Sequence, residues 1–129
     1  MPLFRRKNVQ EIDPNGRAPQ TGVKYKDLLI LGQLIEAGAE LNQPRHVLHY
    51  VYVPSPTSAT AAADDARAYG FEATVKDPLP AYPDQWLVLC ERHDAVLNPE
   101  FVRTCGDWFD ALAERHRGEY DGWEAAARP

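Results

Sequence analysis

Three histidines carry most of the chemistry this chain could do. His46 and His49 stand three residues apart, and His93 lies between Glu91 and Asp94. Imidazoles and carboxylates bind transition metals and move protons. The segment Arg45–Val53, however, reads as a β-strand, and residues three apart on a strand face opposite sides. His46 and His49 are therefore not expected to share an ion, and along the sequence His93 has no second histidine at ligand spacing. Glu91-Arg92-His93-Asp94 could supply an acid and a base, but no nucleophile accompanies it, and it reads as a polar loop after a strand. Cys90 and Cys105 lack zinc-motif spacing and sit in apolar patterns, one in a strand and one in a helix, as buried free thiols do. There is no phosphate-binding glycine loop and no G-x-S-x-G turn. The expectation is a protein with no catalytic residues, no cofactor and no metal, which works by binding.

A second group of residues stands near the end of the chain, at Gly118-Glu119-Tyr120-Asp121-Gly122-Trp123-Glu124. It is too polar for a core strand and too aromatic for an ordinary loop. Tyr120 and Trp123 are three apart, so a regular strand would send them to opposite faces. Either Gly122 forms a bulge that turns both to one side, or Tyr120 alone enters the core and Trp123 stays near the surface. The residues expected to meet a partner are Glu119, Asp121 and Glu124, with Trp123 as an aromatic anchor, and Asp64 and Asp65 on a helix face opposite an alanine stripe.

Charge narrows the class of partner. Residues 1–26 hold six Lys/Arg and two Asp/Glu, and residues 27–129 hold eight and seventeen, so a net of +4 precedes a net of −9. An acidic body disfavours a phosphate backbone and favours a basic partner. At 129 residues, 44% hydrophobic and 26% charged, the chain reads as one ordinary globular domain. Its longest apolar run, Leu28-Leu29-Ile30-Leu31, is far short of the roughly 20 residues of a membrane span. No apolar signal core follows Arg5, Arg6 and Lys7, so the expected location is the cytoplasm.

These side chains need elements to position them. Residues 1–22, rich in proline and glycine, read as an irregular or disordered lead-in, and residues 23–129 as a single domain. Lys24 to about Ala39 has Leu28, Leu31, Leu34 and Ile35 at helical spacing, with Gly38 as the stop. Leu29 and Ile30 widen this stripe. It can be buried on its own domain, covering Leu48, Tyr50 and Tyr52, or against a second copy in a homodimer. The strand Arg45–Val53 is apolar on both faces. Ser55-Pro56 caps a helix with an inner stripe of Ala59, Ala62, Ala63 and Ala66, ended by Gly70. Phe71–Lys76 alternates as an edge strand does, and Gln85–Glu91 is apolar throughout its middle. Asn98-Pro99 caps a helix that runs to about His116, with Gly118 as its stop, and Glu119–Glu124 is a short last strand.

The order is a helix followed by β-α-β-β-α-β. This predicts an α+β, ferredoxin-like two-layer sandwich with a four-stranded antiparallel sheet. In that topology the first and third strands are central, and here those two are apolar on both faces. Such sheets can also stack RNA bases on exposed aromatics, which makes a direct RNA-binding module through Tyr50 and Tyr52 the alternative reading. Nucleic-acid binding is disfavoured by the acidic body.

Several strings resemble one family. Asn98-Pro99-Glu100-Phe101, Ala113-Glu114-Arg115-His116 and Gly118-Glu119-Tyr120-Asp121-Gly122-Trp123 are similar to the regulator of ribonuclease activity B, or ribonuclease E inhibitor B, family. Tyr50-Val51-Tyr52-Val53-Pro54 and Tyr69-Gly70-Phe71-Glu72 fit it as well, so the resemblance spans about residues 45–124. It implies a non-enzymatic bacterial regulator that binds an RNase E/G-type endoribonuclease through its arginine-rich scaffold region and restrains RNA cleavage or remodels its complex. Some members carry a long acidic tail after the tryptophan, whereas this chain has Ala125-Ala126-Ala127-Arg128-Pro129.

Overall fold

The computed structural model describes residues 13–128. Its elements are α1 (Tyr25–Glu36), β1 (Arg45–Val53), α2 (Pro56–Ala68), β2 (Glu72–Lys76), β3 (Trp86–Ala95), α3 (Pro99–Arg115) and β4 (Glu119–Ala125). The sheet runs β2-β3-β1-β4, antiparallel throughout, with β1 and β3 in the centre. This is the ferredoxin-like order that the two doubly apolar strands require. Of the expected lead-in, residues 13–22 form turns and an isolated bridge from Arg17 to Lys24. The remainder, residues 1–12, lies outside the described residues.

Local chemistry sets the helix boundaries. Ser55 Oγ accepts from the Ser58 amide at 3.1 Å, and Asn98 Oδ1 from the Phe101 amide at 2.8 Å, each with proline at the first helical position. All three helices close with the same pair of hydrogen bonds around a left-handed residue. In α1 and α2 that residue is Gly38 or Gly70. In α3 it is Arg117, at φ 60°, one residue before the glycine expected to end the helix. The Gly118 amide donates to Ala113 and the Arg117 amide to Glu114. A side chain in this region costs about 1–2 kcal/mol, and glycine's extra chain entropy costs about 0.5–1 kcal/mol. Arg117→Gly is therefore expected to stabilise the fold by about 0.5–1 kcal/mol, as read by urea denaturation. A loss of stability would show that the arginine makes a compensating contact.

The helices α2 and α3 cover one face of the sheet. The main core joins Val51, Val53, Val88 and Cys90 of the sheet to the alanines of α2 and to Cys105, Phe109 and Leu112 of α3. Both thiols are buried, and desolvation pushes Cys105 up to about 11 and Cys90 to about 12. A second core joins Leu31 and Leu34 of α1 to Val47, Leu97, Val102 and Trp123. The helix α1 thus packs beside α3, on the face that α2 and α3 also cover. The expectation that it covers Leu48, Tyr50 and Tyr52 is corrected, because those side chains point to the opposite face and stay half-buried. The physical reason is the chemistry of Asp27, which faces inward among the leucines at 4% exposure and accepts from Trp123 Nε1 at 2.9 Å. Lys24, also buried, pairs with Asp110 of α3, and Arg17 pairs with Asp107 at 2.6 Å.

Candidate functional site

The two faces of β1 divide the chemistry. Residues 45, 47, 49, 51 and 53 are buried under the helices, and residues 46, 48, 50 and 52 face outward. His49 is on the inner side, with its ring stacked on Phe109 at 4.2 Å and its Nδ1 2.7 Å from the Tyr120 hydroxyl. Desolvation lowers the His49 pKa from the usual 6.5 to about 3 and raises that of Tyr120 far above its ordinary value. Both are neutral at pH 7.

This burial has a consequence for stability. Between pH 6.5 and 3 the unfolded chain takes up a proton at His49 that the folded chain refuses. The His49 contribution is complete above 6.5 and is lost as pH falls. The expected loss is about 1 kcal/mol per pH unit. Urea denaturation at pH 7 and at pH 5, where most carboxylates are still ionised, reads it against a His49→Gln variant that lacks this slope. Equal slopes in the two proteins would exclude His49 as the source.

The strand β4 carries the bulge that the sequence left as one of two alternatives. Val51 pairs with Tyr120 and His49 with Trp123, so Asp121 and Gly122 together oppose Tyr50. Gly122 sits at φ 91°, a conformation that glycine takes without a side-chain penalty. Tyr120 and Trp123 consequently share the inner face. The indole of Trp123 is buried at 8% exposure and committed to Asp27. As a surface anchor Trp123 is corrected, because the bulge turns it inward.

The other expected partner residues separate into two groups. Asp64 and Asp65 lie on the helix layer, where Asp64 pairs with Arg67 at 3.0 Å. Asp65 bridges α2 to α3 by accepting from His116 at 2.9 Å and Arg115 at 3.0 Å, and these bonds hold its carboxyl below the usual range. Glu119, Asp121 and Glu124 are exposed on β4. Glu119 opposes Tyr52 and Glu124 opposes Leu48, which places both carboxylates on the outer face. The Tyr50 hydroxyl donates to Glu124 at 2.6 Å, and that bond pushes Tyr50 up to about 12.

The outer face is therefore a strip of Leu48, Tyr50, Tyr52, Leu87 and Leu89 bordered by the carboxylates of Glu72, Glu91, Glu119 and Glu124. At one end it runs into a cleft of about 420 Å³ under the β2–β3 loop, where Leu79 and Tyr82 are exposed beside Lys76 and Tyr52. In the sequence, exposed Tyr50 and Tyr52 are one alternative and cover by α1 the other, because apolar residues on both sides of a central strand do not say which side a helix will cover.

The strand β3 is also longer than expected, running to Ala95, so Glu91-Arg92-His93-Asp94 is strand rather than loop. It continues because Arg92 and Ala95 still pair with Val47 and Arg45 of β1. Arg92 turns inward over the Phe71 and Phe101 rings, and His93 turns outward. There His93 meets His46, with ring centroids 4.4 Å apart and planes within 5°. The pairing is invisible along the sequence because it is made across two strands.

Comparison with known proteins decides the family. The family model described as "Regulator of ribonuclease activity B" matches residues 26–125. The chain belongs to that family. It is also 26% identical over 96 residues to a "Regulator of ribonuclease activity B" from Salmonella typhi, covering 74% of this chain and 70% of that protein. The family match begins inside α1 and ends with β4, so the docked N-terminal helix and the bulged edge strand are both within it. Among the described residues no helix is long and apolar enough to cross a membrane.

Proposed function

We propose that this protein is a non-enzymatic, cytoplasmic regulator that binds an RNase E/G-type endoribonuclease and slows its cleavage of RNA, using the outer face of the sheet. Membership of the family supports a role in regulating ribonuclease activity. The observation that carries the contact surface is the strip of Tyr50 and Tyr52 bordered by Glu119 and Glu124. Carboxylates bind guanidinium groups in two-pronged hydrogen bonds, and tyrosine rings accept the same groups on their faces. A basic, arginine-rich segment of the ribonuclease matches both. Asp121 extends the acidic border along the β4 edge.

The test mixes the full chain with the endoribonuclease of its own host and follows cleavage of a defined RNA together with co-sedimentation. Slower cleavage and a complex that weakens with salt are expected, and Glu119→Lys combined with Glu124→Lys should abolish both. Unchanged cleavage and no complex would overturn the proposal. Salt-sensitive binding of RNA alone, lost in Tyr50→Ala/Tyr52→Ala, would instead establish the RNA-binding alternative. A homodimer through α1 would have to use Leu28, Leu29 and Ile35, which remain exposed on its outer side. Molar mass in solution, with Leu29→Glu as the comparison, decides that point.

A further inference from the structure

We propose that His46, Glu91 and His93 form a binding site for a divalent transition-metal ion, with zinc as the reference ion. The site is built by an irregularity in the sheet. Arg45 pairs with Ala95 but Val47 pairs with Arg92, so His93 and Asp94 together stand opposite His46. That extra residue sets the His93 ring against His46, while Glu91, two positions back on β3, shares their face.

The donor atoms already converge. Nε2 of His46 lies 2.9 Å from Glu91 Oε1, and one ligand atom from each of the three residues falls within 4.8 Å of the others. A tetrahedral zinc ion with bonds of about 2.0–2.1 Å holds its ligand atoms about 3.4 Å apart. Each nitrogen's lone pair lies in its ring plane, so binding requires the two rings to rotate out of their parallel stack until their planes meet at the ion, and their exposure leaves room for that. A second carboxylate, Glu72 on β2, accepts from His93 Nε2 at 3.1 Å and is placed to orient that ring, as carboxylates behind metal-bound histidines do.

The chemistry of the set selects the ion. Two imidazole nitrogens and a carboxylate oxygen suit zinc and its neighbours, whereas magnesium and calcium take oxygen ligands. The side chains of His46, Glu91 and His93 are 37%, 24% and 62% exposed, so an ion reaches them from solvent and keeps water at its remaining positions. The other acid–histidine pair, Asp65 with His116, has a single imidazole and serves as an internal control.

The experiment titrates untagged full chain with zinc chloride by calorimetry, and follows histidine ring protons by NMR. One zinc per chain is expected, with perturbations confined to His46 and His93 and none at His49 or His116. His46→Ala and His93→Ala should each weaken binding at least tenfold, His116→Asn should leave it unchanged, and magnesium should not compete. Circular dichroism confirms that the exposed substitutions leave the fold intact. Zinc binding equal in the His46, His93 and wild-type proteins, perturbation centred on His116, or no binding at all would overturn the proposal.

Discussion

Gly118→Ala is expected to lower the unfolding free energy by about 3 kcal/mol or more, the upper end of what overpacking costs. A Cβ at this position would lie 2.0 Å from the Tyr52 carbonyl oxygen and 2.8 Å from Val53 Cγ1. Neither neighbour can move aside. Tyr52 belongs to β1, which is held between β3 and β4, and Val53 is fully buried in the main core. The alternative is for the α3–β4 connection to retreat, which would break the pairing of Glu119 with Tyr52. Gly118 was read in the sequence as a helix stop, but its place is set by this close approach, and Arg117 takes the left-handed position. Urea denaturation of the variant provides the measurement. A loss below about 1 kcal/mol would show that the connection relaxes freely.

Trp123→Ala is the second large effect, with an expected loss of about 3–5 kcal/mol. The indole fills the space between α1 and the sheet, beside Val47, Leu97 and Val102. Its removal leaves a cavity and takes away the N–H that Asp27 accepts. Since small domains are stable by about 5–15 kcal/mol, such a loss consumes much of the margin. Trp123→Phe separates the two parts. It keeps most of the apolar area but leaves the buried Asp27 carboxylate without its donor, at a cost of about 1–3 kcal/mol. If the phenylalanine variant were as stable as wild type, the hydrogen bond would contribute nothing, and packing with the Lys24–Asp110 pair would hold α1.

How much of this was readable in advance depended on whether the controlling interaction was local. Ser55-Pro56 and Asn98-Pro99 announce helix starts because a cap acts within three residues. The apolar character of both faces of β1 and β3 located the sheet centre, because even the uncovered face of a central strand is flanked by neighbouring strands on both sides and stays half-buried. The placement of α1 was not readable. Its stripe records that a face is buried but not against what, and the residue that decides, Asp27, looks like an ordinary first-turn acid. The candidate surface was half legible. Glu119, Asp121 and Glu124 are where an exposed edge strand should put them. The sequence leaves Trp123 between an inner place and a surface anchor, because a bulge of one residue reverses the alternation of everything after it. His46 and His93 were read as isolated for a related reason: their meeting depends on a register irregularity between two strands.

The ties that hold α1 and the start of β1 span most of the described residues. Asp27 reaches Trp123, Lys24 reaches Asp110, and Arg45 donates to the carbonyls of Ala126 and Ala127 at 2.9 Å. The central strand β1 likewise waits for β4, the last of the described elements in chain order, before its second edge is paired. During translation α1 can meet Val47, Leu97 and Val102 first, and its ties to Asp110 and Trp123 form only after α3 and β4 have emerged. Contacts of such sequence separation slow folding, because the intervening chain must be closed before they form. The covering of Leu31 and Leu34 is incomplete until Trp123 arrives, so the nascent chain passes through a state in which an amphipathic helix is open to chaperones or other chains.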